Sequence, residues 1–186
     1  MTTNELIAAI KGKDENARAQ AWMNAATTGA DAVAPLAGLM DDKDTETRRA
    51  ANRALWKIVR NAGRPGASEE AQSLSKALLA ALGAQQAVGT VSALCWMLSE
   101  IAGDEAVAPL AKLLVQPELR EHARAALQRI PGDASVAALK AALADASDDA
   151  KPALAESLRR RGVDVPDVKS AKLTPVKPTQ VKPAGR

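Results

Sequence analysis

Apolar residues recur through the first 162 positions in short runs of helical spacing, each closed by Gly, Pro or an acidic turn. Thr3–Lys11 puts Leu6, Ile7 and Ile10 on one face, and Gly12 ends the run. Asp14 opens a second predicted helix to about Ala26, with Ala17, Ala21, Trp22 and Ala25 inward. Asp31–Met40 turns Val33, Leu36, Leu39 and Met40 inward, with Pro35 near the first turn, where its missing N–H costs least. The carboxylates of Asp41–Asp44 then suit the start of a helix over about Thr45–Asn61, with Ala51, Ala54, Leu55 and Ile58 inward. A third pair is predicted at about 69–82 (Leu74, Ala77, Leu78, Ala81, Leu82) and Val91–Ala102 (Leu94, Leu98, Ile101). Asp104–Arg129 reads as two amphipathic helices joined by a turn at Gln116–Glu118. The last pair is Ser135–Ala144 and about Ala150–Arg161, and the arginines that end it, Arg159–Arg161, are polar enough to cap the array at the surface.

These pairs repeat. GADAVAPL at 29–36 returns as GDEAVAPL at 103–110. The first-helix leucines Leu6, Leu36, Leu74, Leu110 and Leu139 are 30, 38, 36 and 29 residues apart. A helix pair recurring at this period predicts an α-solenoid, in which each pair buries its open face only by stacking on its neighbours. Composition agrees. Hydrophobic residues are 47% of the chain but aromatics only 2%, with no Phe and no Tyr. An Ala- and Leu-rich core favours helices in close contact. The expected fold is all-α, with about five helix pairs over residues 1–162.

Ala32–Ala51 carries Val33, Leu36, Leu39, Asp44, Arg48 and Ala51 in the order of a HEAT unit. Asp14 and Arg18 repeat the Asp–x3–Arg spacing, and Arg120 occupies the Arg position of the fourth unit, with Gln116 in place of Asp. Over residues 3–162 the chain resembles bacterial HEAT-like repeat proteins. The resemblance implies that Asp14, Arg18, Asp44, Arg48 and Arg120 hold turns or neighbouring units together. It also implies that the second helices line a concave surface. The ladder is interrupted in the third unit, which has neither residue, and the fifth offers only Lys151.

The net charge of +3 is unevenly placed. Residues 163–186 hold five of the 25 basic residues and two of the 22 acidic ones, so twenty of each remain before them. A neutral body argues against general phosphate-backbone binding, which needs clustered Lys and Arg. Residues 163–186 are of different material: Pro166, Pro175, Pro178 and Pro183 alternate with Lys169, Lys172, Lys177, Lys182 and Arg186. The expectation is a disordered, extended tail, either a solubilising linker or a non-specific contact for nucleic acid or an acidic partner. The N-terminus lacks a secretory pattern, and no apolar run approaches about 20 residues, so a cytoplasmic location is expected. The single Cys95 rules out an intramolecular disulfide and is expected to pack as a small hydrophobe.

Candidate chemistry is sparse. His122 is the only histidine, too few for a structural metal site or for the paired His-Glu motifs of HEAT-like deoxyhypusine hydroxylases. No phosphate-binding glycine loop or GxSxG elbow is present, so no catalytic residue, metal or cofactor is expected. Trp22, Trp56 and Trp96 are the only aromatics, each seven residues before a Gly. They read either as packing between units or as an aromatic stripe for a partner. The resulting expectation is a non-catalytic protein-interaction scaffold, monomeric or weakly dimeric. Trp22, Trp56, Trp96, Arg53 and Arg124 are its candidate partner-binding residues. Nucleic-acid binding through the tail and the Arg-bearing helices is the alternative. A bilin-lyase-like or DNA-glycosylase-like enzyme is the more distant one.

Overall fold

The computed structural model describes residues 1–84 and 87–170. Ten α-helices are present among them, with no strand. They are α1 Thr3–Lys11, α2 Glu15–Met23, α3 Val33–Leu39, α4 Thr45–Ala62 and α5 Ser68–Gly83. There follow α6 Val88–Ile101, α7 Val107–Ala111, α8 Arg120–Arg129, α9 Asp133–Ala144 and α10 Lys151–Arg160. Consecutive helices pack as five pairs, and the second helices α2, α4, α6, α8 and α10 each pack on the next to form a continuous layer. The first-helix layer is less even: α3 packs on α5 and α7 on α9, whereas α1 leans on α4. The fold is therefore an all-helical α-solenoid.

The repeating leucines carry the core. Leu6, Leu36, Leu110 and Leu139 are 0% exposed and Leu74 is 1%. Alanines at 50, 51, 54 and 62 let α4 approach its neighbours closely, and Leu55, Ile58 and Val59 complete its buried face. At the N-terminal end Leu6 and Ile10 are fully covered, while Asn4, Glu5, Ala8 and Lys11 face water.

Local chemistry explains where helices start. Thr2 and Glu5 form a reciprocal capping box on α1. Asp14 accepts the N–H groups of Asn16 and Ala17 (2.9 and 3.1 Å), and Asp44 accepts that of Thr47 (2.8 Å). Among the described residues no side chain of the third unit caps α6, and Asp41 reaches in from the second unit. It accepts the N–H of Ala87 at 3.0 Å and the hydroxyl of the buried Thr90.

Three expectations are corrected. The stretch Asp104–Arg129 does not hold a full first helix: a 3₁₀ turn at Asp104–Ala106 leads into the five-residue α7. Beyond Lys112, Leu113 and Leu114 bond to Leu110 and Ala111 with i→i+3 spacing. The chain thus tightens into turns before Pro117, which disfavours a helical Gln116. Ala17, expected inward, is exposed on α2. Arg159–Arg161, expected to form a polar surface cap, do so only at Arg160, which pairs with Glu156 at 3.1 Å. Arg159 and Arg161 turn back onto main-chain carbonyls because α10 ends beside open loop backbone.

Residues 163–170 run along this end. Val163 and Val165 pack against the core, and Arg159 donates to the carbonyls of Val165 (2.8 Å) and Val168. Lys169 is exposed. Lys172, Lys177, Lys182 and Arg186, with the rest of the expected tail, lie outside the described residues.

Candidate partner-binding face

The outer face of α4 is set by helical spacing. Glu46, Arg49, Arg53, the adjacent Trp56 and Lys57, and Arg60 recur at steps of three or four residues, opposite the buried Ala51, Ala54, Leu55 and Ile58. Glu46 and Arg49 pair with each other at 2.7 Å, both exposed. Below them come three cations with no carboxylate within ion-pair distance among the described residues.

Two of these cations are placed by aromatic rings. The Arg53 guanidinium carbon lies 5.2 Å from the ring centre of Trp22, joining α4 to α2. The Arg60 carbon lies 5.2 Å from the ring centre of Trp56, one turn earlier on α4. Trp22 and Trp56 are half-buried, with part of each ring against the core, and Trp96 on α6 is 38% exposed. Trp22 and Trp56 thus pack on the core with part of each ring outward, while Trp96 stands on the surface.

A hollow of about 420 Å³ between α2 and α4 is lined by Glu15, Arg18, Ala19, Trp22, Glu46, Ala50 and Arg53. Its acidic end is Glu15 and Glu46, and its basic end is Arg53. On the other side α6 carries only one charged residue, Glu100, which is held by Arg129 at 2.6 Å. The positive strip is therefore one helix wide.

The arginines fall into two groups. Arg18 donates to the carbonyls of Ile10 (3.1 Å) and Gly12 (2.5 Å). Arg48 donates to those of Asp42 (2.8 Å) and Lys43 (3.0 Å). Each ties the turn of its own unit, while Asp14 and Asp44 serve as caps rather than as ion-pair partners. The Asp44 carboxyl lies below its usual pKa, chiefly because the Thr47 hydroxyl and N–H donate to it. Arg120 crosses to Asp149 of the fifth unit at 2.7 Å. Arg124, grouped with the Trp residues on sequence grounds, lies between units: it donates to Glu121 (2.9 Å) and to Ser157 on α10 (2.5 Å). Ten of the twelve described arginines have such polar partners. Arg53 and Arg60 have none among the described residues, and each lies over a Trp ring.

Sequence reasoning missed two contacts. Ser92 Oγ lies 2.9 Å from His122 Nδ1, linking α6 to α8. The neighbouring Glu121 is held by Arg124, so it does not orient the imidazole. Arg161 is the other: it reaches Ile130, Gly132 and Ser135, 26 to 31 residues away. Only the register between units could have revealed either. Cys95 is buried, and desolvation pushes its thiol pKa up to about 12, so it is inert at neutral pH.

No family model matches the chain, and no curated protein matches it. Among solved structures it is similar to an engineered protein from the Northeast Structural Genomics Consortium, at 20% identity and TM-score 0.45. That match covers 83% of this chain and 77% of the other. A designed armadillo repeat protein in complex with the peptide (KR)4 is similar at 20% identity and TM-score 0.45, covering 83% of this chain and 80% of that one. Likeness of this degree says nothing of a ligand.

Proposed function

We propose that this chain is a non-catalytic protein-interaction module of HEAT-like helix pairs, with the second-helix layer receiving a segment of another protein. The observation that carries the reading is the pair of arginines set on tryptophan rings. Arg53 and Arg60 are exposed, positioned and without polar partners among the described residues, whereas the other described arginines are taken up in turns, unit contacts and ion pairs. Partly exposed Trp beside Arg is a residue combination enriched at protein interfaces, because each combines apolar area with directed donors. A rigid helical layer adds pre-organisation, so little order has to be imposed on binding.

Panning a displayed library of random twelve-residue peptides on the full chain tests this. Enriched peptides should lose binding to a Trp22→Ala/Trp56→Ala variant that still melts cooperatively by circular dichroism. No enrichment, or enrichment indifferent to both substitutions, would overturn the reading.

A further inference from the structure

We infer that the partner segment is acidic and extended, with carboxylates about 10 Å apart that dock on Arg53 and Arg60. The inference rests on the interaction-module reading and adds the chemistry of the partner. Stacking holds a guanidinium by its flat face and leaves the in-plane N–H donors pointing outward. Those edges match a carboxylate in the two-point geometry that makes Arg–carboxylate bonds strong. Arg53 and Arg60 each lie 5.2 Å from a Trp ring centre and donate to no described group, which leaves their N–H donors for such a carboxylate. The ring contacts favour one placement of each side chain, so the usual loss of side-chain freedom on binding is reduced. Lys57 lies between them on the same face, exposed and unpaired among the described residues.

Spacing adds a second constraint. Seven residues of α-helix rise about 10.5 Å, which separates the Arg53 and Arg60 backbone positions along α4. A polyproline-type chain advances about 3.1 Å per residue and returns every third side chain to one face, about 9 Å apart. Glutamates at every third position therefore follow the two arginines. The outward parts of the half-buried Trp22 and Trp56 rings meet the residues between.

The strip suits a short acidic peptide better than nucleic acid. It is one helix wide, since α6 contributes only the paired Glu100. Glu15 and Glu46 bound it at the N-terminal end of α4. A continuous phosphate backbone would meet those carboxylates, and nucleic-acid affinity needs more cations than three.

The test uses the full chain and a fluorescein-labelled dodecapeptide of four Glu-Pro-Pro repeats, read by anisotropy at low and moderate salt. Matched Gln-Pro-Pro and Lys-Pro-Pro peptides and a twelve-nucleotide single-stranded DNA are the comparators. The Glu peptide should bind about tenfold or more tightly than the Gln peptide, and more weakly as salt rises. Arg53→Gln/Arg60→Gln should abolish that preference while leaving the far-UV spectrum intact and the melt cooperative, its midpoint lower by only a few degrees. Arg53→Lys/Arg60→Lys should retain part of it, because charge remains without the planar fork. Equal binding of Glu and Gln peptides, insensitivity to the double substitution, or tighter DNA binding through the same arginines would each overturn the inference. If panning yields non-acidic ligands that need Trp22 and Trp56, the acidic partner falls and the interaction module stands. If no peptide of any charge binds, both fall.

Discussion

Asp41, in the turn of the second unit, accepts the main-chain N–H of Ala87 at 3.0 Å, forty-six residues further along the chain. The same carboxylate accepts the hydroxyl of Thr90, which is 2% exposed. One side chain thus supplies the start of α6 with acceptors from the preceding unit. Asp41→Ala leaves a buried hydroxyl and a helix-start N–H without that acceptor. An unsatisfied group of this kind costs about 1–3 kcal/mol. Asp41→Asn, which keeps one acceptor oxygen, should lose less. Chemical denaturation of the two variants checks the order, and an Asp41→Ala variant as stable as the parent would remove the cap from this account.

Arg161 ties the last helix to the unit before it. Its guanidinium donates to the carbonyls of Gln128 (3.2 Å), Ile130 (2.5 Å) and Gly132 (2.9 Å), and to the hydroxyl of Ser135 (3.0 Å). It therefore closes the C-terminal end of α8 and the loop into α9. Arg161→Ala should destabilise the protein by roughly 2–4 kcal/mol, from several charge-assisted bonds lost at once. Arg160→Ala, one residue away, removes only an exposed pair with Glu156 and should cost less than about 0.5 kcal/mol. Thermal melts of the two variants side by side test this, and equal shifts would contradict it.

These two residues also mark what sequence can reveal. The buried leucines at 6, 36, 74, 110 and 139 were legible because each is dictated by a local 3.6-residue period and a repeat length. Trp22, Arg53 and Trp56 could be placed on second helices by the same counting. Arg124 could not be told from Arg53, because the difference lies in whether Ser157 and Gln128 stand opposite. Arg161 was misjudged for a related reason: charge alone suggests solvent, but open carbonyls after α8 attract it inward. The shortness of α7 has a local cause in Pro117, yet helical periodicity through Leu113 and Leu114 masks it. Periodicity reads what a helix does alone, and the missed features depend on how neighbouring units align.

Ser75 and Glu105 give the array a pH-sensitive link. Ser75, fully buried on α5, donates to Glu105 Oε1 at 2.7 Å, and the N–H of Gly103 donates to the same carboxylate at 3.1 Å. Partial burial pushes the Glu105 pKa up and is its largest single influence. The bonds from Ser75 and Gly103 together outweigh it and hold the group below its ordinary value of 4.5. A carboxylate depressed in the folded state stabilises fully above its unfolded pKa and loses that contribution as pH falls through the folded one. Ser75→Ala should therefore cost about 1 kcal/mol at pH 7, the low end for a charged acceptor because Glu105 is largely exposed. The gap should narrow below about pH 4, as the carboxylate becomes protonated. Denaturation midpoints at pH 7, 5 and 3.5 check the sign, and a gap that is constant or widens on acidification would refute it.

The last prediction concerns the arginines that cover the tryptophans. Arg60 lies over Trp56 and Arg53 over Trp22, each at 5.2 Å, while Trp96 has no such cover among the described residues. In proteins retaining one tryptophan at a time, acrylamide should quench Trp96 most readily, since it is the most exposed of the three. Adding Arg60→Ala to the protein that keeps Trp56 should raise its quenching toward that of Trp96, and Arg53→Ala should do the same for Trp22. Each substitution should cost about 0.5–1 kcal/mol of stability, the value of a solvent-exposed cation–π contact. Quenching unchanged by loss of the arginine would mean that the guanidinium does not rest on the ring in solution. The donors assigned to a partner's carboxylates would then lack the positioning that singles out Arg53 and Arg60.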